Sequence, residues 1–442
     1  LILIFYLPSR LISGVMKTSS FDKRSTEAIV TSQGYPYESY EVETDDGYIL
    51  KLERLSRPKS NRVIYFQHGV IDNSFAWFGH MEGEAASAAA FRAYDEGYDV
   101  FVGTFRGCEG STRHRRKDFS SSDYWNFTVN EHGMYDLKAF IERIVSIKKS
   151  ELGSQYEPIN GSPFAQPVSL SESPNKFNII IIAHSMGAMA SLIYLVWSKI
   201  KKRQHNIAAA ILLSPAGYHK TAPAIVHITG PIINLALWMF PWIHTLKFPG
   251  EWIRLLVSKI IEDVNNSFTG RTMISWGVAK VIGGSIEDHP FVNLRNLTYN
   301  VFSGTSTGVF RHFWQIWIHK RFEGFDYGLA KNKQIYGSLK PIDFIDNYDK
   351  LDLPIYFTMG LNDTLIEPES IIYQYVSYKN VQPNLAFLKA FPRMGHIDFT
   401  IGASEKLIEF ILETLRNTCE GRTAKDDGEP DDDLVPNLEE AQ

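Results

Sequence analysis

Four consecutive isoleucines at residues 179–182 constrain the fold of this chain more than any other feature of its sequence. They close the short run 177–182 and do not alternate with polar side chains, which is typical of a strand buried on both faces of a parallel sheet. The run leads through Ala183 and His184 into the helical pattern of Gly187–Lys199. A buried strand followed directly by a helix predicts an α/β fold.

Further strand and helix signals alternate on either side of this run. Before it, a hairpin is predicted around Asp45-Asp46-Gly47, and Glu131–Lys148 has the apolar periodicity of a helix. The other predicted elements are short apolar strands and helices at 63–66, 85–94, 98–102, 208–213, 355–359, 385–391 and 404–415. Uncharged strands that alternate with helices predict a mostly parallel central sheet covered by helices on both faces.

The same alternation predicts the division of the chain into regions. The stretch 218–345 interrupts it and is rich in aromatic residues, so we interpret it as an inserted helical cap. The last residues are acidic and contain no aromatic side chain, which is typical of disorder. The predicted regions are an N-terminal hydrophobic segment at 1–23 (expected to be incomplete, because residue 1 is not Met), a first core part at 24–217 with a surface insertion at 151–174, the cap at 218–345, a second core part at 346–420 and an acidic tail at 421–442.

Charge and cysteine content exclude several classes of protein. The net charge is −5, and lysine and arginine do not cluster along any predicted face, so we expect no nucleic-acid partner. No group of His, Cys and Asp residues has the spacing of metal ligands, and we expect neither a metal nor a cofactor. Cys108 and Cys419 are too few for a disulfide framework, and we take both as unpaired. No feature of the sequence indicates an oligomeric state.

Two serines compete as the candidate nucleophile. The string G-x-S-x-G occurs at 304–308, around Ser306, and a near match surrounds Ser185 as Ala183-His184-Ser185-Met186-Gly187. A nucleophile elbow requires a buried strand, a tight turn and an immediate helix, with small residues on either side of the serine. Ser185 meets these conditions, with Ala183 in place of the usual Gly. Ser306 lacks the preceding strand, and we interpret it as part of a turn inside the cap.

A serine nucleophile needs a base, and the base needs an acid to orient it. With a nucleophile elbow these residues follow in the order Ser, Asp, His, each after a later strand. Asp363 follows the predicted strand 353–359, and His396 follows the predicted strand 385–391. We therefore predict Asp363 as the acid and His396 as the base. Asp398 is the alternative acid, but local hydrogen bonding in the loop is its expected role.

The oxyanion of an acyl-transfer intermediate needs two backbone N–H donors. One is expected from Met186, the residue after the serine, and the other from Val70, in the loop after an early strand. Four neighbours complete the predicted site. They are His68 at the end of that strand, Gly69 for close approach of the backbone, Gly187 for a small turn, and His184 packed beneath the elbow.

Short motifs spread over residues 24–415 resemble a known family. They are Gly34-Tyr35-Pro36-Tyr37-Glu38, Asp45-Asp46-Gly47-Tyr48, Gln67-His68-Gly69, Gly97-Tyr98-Asp99-Val100, Arg106-Gly107, Tyr124-Trp125-Asn126-Phe127, Leu213-Ser214-Pro215-Ala216-Gly217 and His396-Ile397-Asp398-Phe399. In these motifs the chain is similar to the acid lipase family of α/β-hydrolases, and nearest to a plant branch of it. The resemblance implies the α/β-hydrolase fold and hydrolysis of triacylglycerols or sterol esters. It also implies the triad Ser185, Asp363 and His396, with oxyanion donors Val70 and Met186.

The predicted cap indicates an apolar substrate independently of this resemblance. It holds six of the nine tryptophans, and residues 221–246 include no Asp, Glu, Lys or Arg. A single membrane span there would place Ser185 and Asp363 on opposite sides of the bilayer, which is incompatible with the predicted triad. We interpret the stretch as a cap element that enters a lipid surface. The alternative is an apolar layer that covers the top of the sheet.

These observations predict a serine ester hydrolase that cleaves water-insoluble carboxylic esters through an acyl-enzyme. Its expected partners are a lipid ester substrate and a lipid surface or membrane. One alternative is an acyltransferase that uses the same triad. Another is a hydrolase fold that binds lipid without catalysis.

Two features point to different compartments. Unpaired cysteines favour a reducing compartment. Five N-x-S/T tripeptides favour the secretory pathway, and they begin at Asn126, Asn160, Asn265, Asn296 and Asn362. We expect an intracellular protein associated with a membrane or lipid, with the lysosome, the vacuole or the secretory pathway as the alternative.

Overall fold

The computed structural model describes residues 24–78, 88–161, 169–171, 173–220, 224–240, 242–247, 269, 272, 303–400 and 404–422. The predicted N-terminal segment, nearly all of the acidic tail and the middle of the cap lie outside these residues. The region boundaries given above therefore stay predictions.

The strands form one large sheet and a small separate ribbon. Their bounds are β1 (Glu38–Glu43), β2 (Tyr48–Leu55), β3 (Arg62–Gln67), β4 (Asp99–Thr104), β5 (Arg113–His114), β6 (Glu157–Pro158), β7 (Lys176–His184), β8 (Ala209–Leu213), β9 (Thr245–Leu246), β10 (Thr305–Ser306), β11 (Ile355–Gly360) and β12 (Ala386–Phe391). Ten of them make the sheet, in the order β1-β2-β4-β3-β7-β8-β11-β12, with β5 beside β2 and β6 beside β7. The pairs from β4 to β12 are parallel, whereas β2 pairs antiparallel with β1, β4 and β5.

Helices pack on both faces of this sheet, where they contribute to two separate apolar cores. Their bounds are α1 (Thr26–Ser32), α2 (Phe75–Phe78), α3 (Ala89–Asp95), α4 (Lys138–Leu152), α5 (Met186–Ile200), α6 (Ala224–Met239), α7 (Thr307–His319), α8 (Leu329–Tyr336), α9 (Pro368–Val381) and α10 (Glu405–Cys419). A mostly parallel sheet between two helical layers confirms the predicted α/β-hydrolase fold class.

The central strand β7 shows why consecutive isoleucines are needed. Ile179 and Ile181 belong to the apolar core on one face of the sheet, and Ile180 and Ile182 belong to the core on the other face. All four side chains are fully buried, and each such burial stabilises the fold by about 1.5–3 kcal/mol. The carboxyl end of β7 lies between the ends of β3 and β8, so residues that follow these strands meet at one edge of the sheet.

The helix predicted at Glu131–Lys148 begins differently from the expectation. A capped turn at Val129–Glu131 leads into a π-helix at His132–Leu137, which continues as α4. A Cβ atom on Gly133 would lie 2.5 Å from Cγ2 of Ile193. The glycine therefore permits close contact with α5, and apolar periodicity alone does not reveal the wider π turn.

The C-terminal helix is longer than predicted. α10 continues past the expected end at residue 415, so Cys419 lies inside the helix. Cys419 and Cys108 are both free and buried. Burial raises the pKa of both thiols, and thiols in such surroundings are poorly reactive.

Helix α6 occupies part of the charge-free stretch of the cap. It contains Pro231 within the helix, where proline removes a backbone hydrogen bond. Among the helices of the described ranges, none combines the length and the hydropathy needed to cross a bilayer.

A buried ion pair ties the loop after β4 to the rest of the core. Arg106 follows β4 and is fully buried, as is Asp136 of the π-helix. The Arg106 guanidinium donates from Nε and Nη2 to Asp136 Oδ1 at 2.8 and 2.6 Å. It also donates from Nη1 to Asp46 Oδ2 at 2.6 Å. It also lies 3.9 Å from the ring centroid of Tyr48. The hairpin turn and the π-helix are thus joined through one cation.

Arg106→Ala should strongly destabilise the protein, because it leaves the Asp136 carboxylate buried without its cation. We expect a loss of about 3–5 kcal/mol in the free energy of unfolding, measured by urea denaturation. Arg113→Ala is the matched control, since Arg113 pairs with Glu41 at an exposed edge and its loss should leave the midpoint unchanged. Equal midpoints for the two variants would contradict the assigned role of Arg106.

Candidate active site

Ser185 occupies a sharp turn between β7 and α5. Its backbone angles are φ 53° and ψ −119°, an unfavourable conformation for a residue with a side chain. The turn is held by a hydrogen bond from the Ser185 N–H to the Leu213 carbonyl at 3.0 Å. A Cβ atom on Gly187 would lie 2.4 Å from the His68 carbonyl oxygen, so the start of α5 passes too close to the end of β3 for any other residue.

The structure brings Ser185, His396 and Asp363 together. His396 Nε2 lies 2.8 Å from Ser185 Oγ, and His396 Nδ1 lies 2.8 Å from Asp363 Oδ2. All three side chains are buried. They follow β7, β11 and β12 at the carboxyl edge of the parallel sheet, which is where such sheets place their ligand sites. The arrangement can move a proton from the serine to the imidazole while the carboxylate fixes the ring.

Ser214 supports the carboxylate, and reasoning from individual residues missed it. Its hydroxyl donates to Asp363 Oδ2, and the other carboxylate oxygen accepts the N–H groups of Leu365 and Ile366 at 2.9 and 2.8 Å. Ser214 directly follows β8, the strand between β7 and β11. That position, at the end of a neighbouring strand, is the signal that could have identified it.

His184 lies beneath His396. Its Nε2 contacts the backbone carbonyl oxygen of His396 at 2.9 Å, which fixes the backbone of that residue. Burial, together with the nearby His396 ring, holds the pKa of His184 well below its usual range. His184 is therefore neutral and adds no charge beside the site. Asp398 accepts the Gly395 N–H at 2.6 Å, so the carboxylate bonded to His396 is that of Asp363.

The loop after β3 runs against the serine. A Cβ atom on Gly69 would lie 3.3 Å from the Cβ of Ser185. His68 accepts the Phe105 N–H at Nε2, and its Nδ1 lies 2.8 Å from the Gly69 carbonyl oxygen. Burial lowers the pKa of His68 to about 3, so the ring is neutral and donates from Nδ1. Within the described part of the chain, the Val70 and Met186 N–H groups donate to no protein acceptor, and both are free to bind an oxyanion.

Ser306, the serine of the literal G-x-S-x-G string, has a different environment from the predicted turn. Thr305 and Ser306 form β10, and Ser306 is the N-cap of α7. Its hydroxyl accepts the Gly308 N–H at 2.9 Å and donates to the Trp125 carbonyl oxygen. The turn interpretation is wrong because a capping serine followed by apolar residues at helical spacing begins a helix.

Across the described residues, no group of three His, Cys, Asp or Glu side chains is arranged to hold a metal ion. The groups that the described geometry brings together are the serine, the imidazole and the carboxylate, beside the two backbone donors.

Asp72 is a buried carboxyl group in the same loop that sequence analysis did not identify. It accepts the Asn73 N–H at 2.7 Å. Burial raises the pKa of Asp72 to about 8, against the opposing effect of hydrogen bonds from the Asn73 and Gly69 backbones. The pKa of Asp72 is higher in the folded protein than in the unfolded chain. Its contribution to the free energy of unfolding is therefore fully present at low pH and is lost as the pH rises towards 8.

Asp72→Asn, which stays neutral at every pH, should therefore be more stable than the native protein in alkaline buffer. We expect Tm to be higher by at least about 2 °C at pH 9, with the difference shrinking as the pH falls and disappearing below about pH 4. Differential scanning fluorimetry across this range measures it, with the exposed Asp123→Asn as control. A difference in Tm that does not change with pH would show that Asp72 is charged in the folded protein.

Comparisons with known proteins find similarity to lipases. A family model described as a partial alpha/beta-hydrolase lipase region matches residues 26–80. Triacylglycerol lipase 1 of Arabidopsis thaliana is 26% identical over 396 residues, which cover 86% of each chain. Lipase lipl-1 of Caenorhabditis elegans is 27% identical, covering 89% of this chain and 92% of the relative. Lipase member M of Homo sapiens is 22% identical, covering 96% and 94%.

Solved structures of esterases are also similar. Esterase Pf2001 of Pyrococcus furiosus aligns with a TM-score of 0.44 at 15% identity, covering 89% of this chain and 94% of its own. A thermophilic esterase from Thermogutta terrifontis aligns with a TM-score of 0.46 at 13% identity, covering 86% and 99%. Its lipase relatives and its mostly parallel sheet together support an acid lipase-like α/β-hydrolase, with ester hydrolysis as the activity.

Proposed function

We propose that this protein is a lipase that hydrolyses water-insoluble carboxylic esters, triacylglycerols or sterol esters, through an acyl-enzyme on Ser185. The observation that carries the proposal is the continuous hydrogen-bonded series Ser185–His396–Asp363. It lies beside the N–H groups of Val70 and Met186, which have no protein acceptor among the described residues. The names of the relatives, among them a triacylglycerol lipase, support the substrate class.

The reaction follows from the roles of these groups. His396 Nε2 accepts the proton of Ser185 as Oγ attacks the ester carbonyl carbon, and the oxyanion that forms binds the Val70 and Met186 N–H groups. The imidazolium then protonates the leaving alcohol, and the acyl group stays on Ser185. In the second half His396 takes a proton from water, which attacks the acyl carbon. The imidazolium then returns the proton to Ser185 Oγ as the bond to the acyl group breaks and the fatty acid leaves. Asp363 keeps the proton of the neutral imidazole on Nδ1 throughout.

The proposal that the substrate is a water-insoluble ester rests on an exposed apolar surface, which we name the cap patch. It comprises the large apolar side chains that α6 and the residues after it present to solvent, namely Ile232, Ile233, Leu235, Trp238, Met239, Phe240, Trp242, Ile243 and Leu246. Trp238 is 77% exposed and Trp242 is 67% exposed. Leu237 on the same helix is buried, so one face of α6 packs on the protein while the other is open.

The exposure of these side chains favours a lipid surface over the alternative of a purely internal apolar layer. An exposed cluster of aromatic and aliphatic side chains in a stretch without charges is costly in water unless it binds an apolar partner. Aromatic side chains of this kind are typical of protein segments that lie in a membrane interface. The two apolar cores of the sheet domain are formed elsewhere, and they leave the cap patch exposed.

Replacement of the nucleophile gives the direct test of the chemistry. Ser185→Ala should lower kcat on a soluble ester by about 10⁴–10⁶-fold, because the other groups act only with the serine. Ser306→Ala is the control, since this serine caps a helix, and its kcat should stay near the native value. Activity that survives in Ser185→Ala and disappears in Ser306→Ala would overturn the assignment. Assays with triolein and cholesteryl oleate then identify the preferred ester.

Removing the apolar side chains of the cap patch tests the lipid surface. The double variant Leu235→Ser, Trp238→Ser should hydrolyse emulsified triolein at least about tenfold more slowly, because less apolar area enters the lipid. Its kcat on soluble p-nitrophenyl butyrate should be unchanged. Leu339→Ser is a matched control, because Leu339 is 56% exposed and Leu235 is 55% exposed. Equal losses on both substrates would contradict a role confined to lipid binding.

The two alternative functions have separate signatures. An acyltransferase would give a new ester as the main product when an alcohol is supplied, and product analysis by mass spectrometry distinguishes it from hydrolysis. A non-catalytic lipid-binding protein would leave a serine-directed fluorophosphonate unreacted. The close contacts within the Ser185, His396 and Asp363 triad favour catalysis over binding alone.

We also propose that the protein works at an intracellular membrane or lipid surface. Its two buried cysteines are free, which is compatible with a reducing compartment. A relative is named as a tear acid lipase-like protein, from Mesocricetus auratus, and the lysosome or the secretory pathway is the alternative. Mapping of occupied Asn-linked glycosylation sites on the cellular protein separates the two.

A further inference from the structure

The loop that carries Val70 contains an unfavourable backbone conformation. Ile71, the next residue, has φ +51°. A β-branched side chain in this left-handed region is a genuine outlier, because its Cβ substituents crowd the backbone. A backbone held in this way persists only where the surrounding structure fixes it. The loop therefore needs an external support.

Ser303 supplies that support from a distant part of the chain. Its N–H donates to the Ile71 carbonyl oxygen at 2.8 Å. Its hydroxyl accepts the side-chain amide of Asn73 at 3.0 Å and the N–H of Glu109 at 3.3 Å. Ser303 is 2% exposed, so water does not compete for these bonds. Two hydrogen bonds thus join this one serine to the strained Ile71 and to Asn73, two residues further along the loop.

The segment around Ser303 is itself anchored to the core. The Cys108 thiol donates to the Gly304 carbonyl oxygen at 3.4 Å. A Cβ atom on Gly304 would lie 3.4 Å from the Gly107 carbonyl oxygen, so the backbone packs closely on the same loop. These contacts fix residues 303 and 304 against the loop that follows β4. Ser303 therefore acts from a rigid platform, and its bonds to Ile71 and Asn73 can determine the shape of the loop that carries Val70.

We propose that Ser303 is a positioning residue for ester hydrolysis. With Asn73, it holds Ile71 at positive φ and so keeps the neighbouring Val70 N–H directed at the oxyanion. The inference rests on the proposed function, because it assigns a role within the same acyl-transfer site. A glycine at position 71 would adopt this conformation without help. The isoleucine makes the geometry of the oxyanion site depend on Ser303.

The test compares substrate turnover with the binding of an oxyanion mimic. Ser303→Ala keeps the backbone N–H but removes the hydroxyl that joins Asn73 and Glu109. We expect kcat on p-nitrophenyl butyrate to fall by about 10–100-fold, somewhat less than the loss of a whole oxyanion donor, with KM within about twofold. The Ki of an aliphatic trifluoromethyl ketone, whose serine adduct places an oxyanion in the same position, should rise by the same factor as kcat falls.

Three further variants separate positioning from general stability. Ser306→Ala removes an equally buried hydroxyl of the same segment, and it should lower Tm but leave kcat and Ki unchanged. Ser303→Thr keeps the hydroxyl and should retain most of the activity. Ile71→Gly in the Ser303→Ala background should recover part of the lost kcat, because glycine needs no support at positive φ. Asn73→Ala removes the other side of the bond and should show the same kcat-selective loss, even if Ser303→Ala does not fold.

The positioning role is overturned if folded Ser303→Ala keeps the native kcat and Ki. Where that variant does not fold, native values in Asn73→Ala overturn it. Either result leaves the proposed function intact. Equal losses in Ser303→Ala and Ser306→Ala would also overturn the positioning role, in favour of a general structural role. Failure of the proposed function is seen separately, as native activity in Ser185→Ala or as no activity in the native protein.

Discussion

The burial of β7 between two apolar cores is the constraint on which the rest of the structure depends. The turn at Ser185 stores backbone strain, and strain persists only where the flanking elements cannot move. Isoleucines that point alternately into both cores fix the strand before the turn, and close packing at Gly187 fixes the helix after it. The packing of the strand before Ser185 and of the helix after it therefore holds the serine in position for its partners.

The same packing keeps the two histidines beside the site neutral. His68 and His184 are both buried, and burial lowers the pKa of each imidazole. Two neutral rings therefore add no charge next to Ser185. Ser214 and two backbone N–H groups hold the Asp363 carboxylate in one orientation. The site is thus a small cluster of polar groups in apolar surroundings. Each hydrogen bond restricts the orientation of the group that makes the next one.

The sequence predicts the parts of this site that depend on local pattern. Ser185 is identified by the strand and helix around it, and Asp363 and His396 by their order after later strands. Ser214 and Ser303 escape prediction because their partners Asp363 and Asn73 are far away in the chain, and no spacing rule relates them. Asp72 escapes prediction because its burial depends on the packing of the whole loop. The N-cap role of Ser306 was not predicted, because the G-x-S-x-G string overlaps the start of the helix. The π-helix at His132–Leu137 is invisible because its apolar pattern matches that of an ordinary helix.

The start of β7 has a consequence for how the protein folds. Asn178 accepts the Val63 N–H at 3.1 Å and donates to the sulfur of Cys419 at 3.1 Å. One side chain therefore links an early strand, the central strand and the last helix. Such contacts between distant parts of the chain close large loops, and they slow folding. During synthesis the sheet domain therefore completes its packing only after the final helix has left the ribosome.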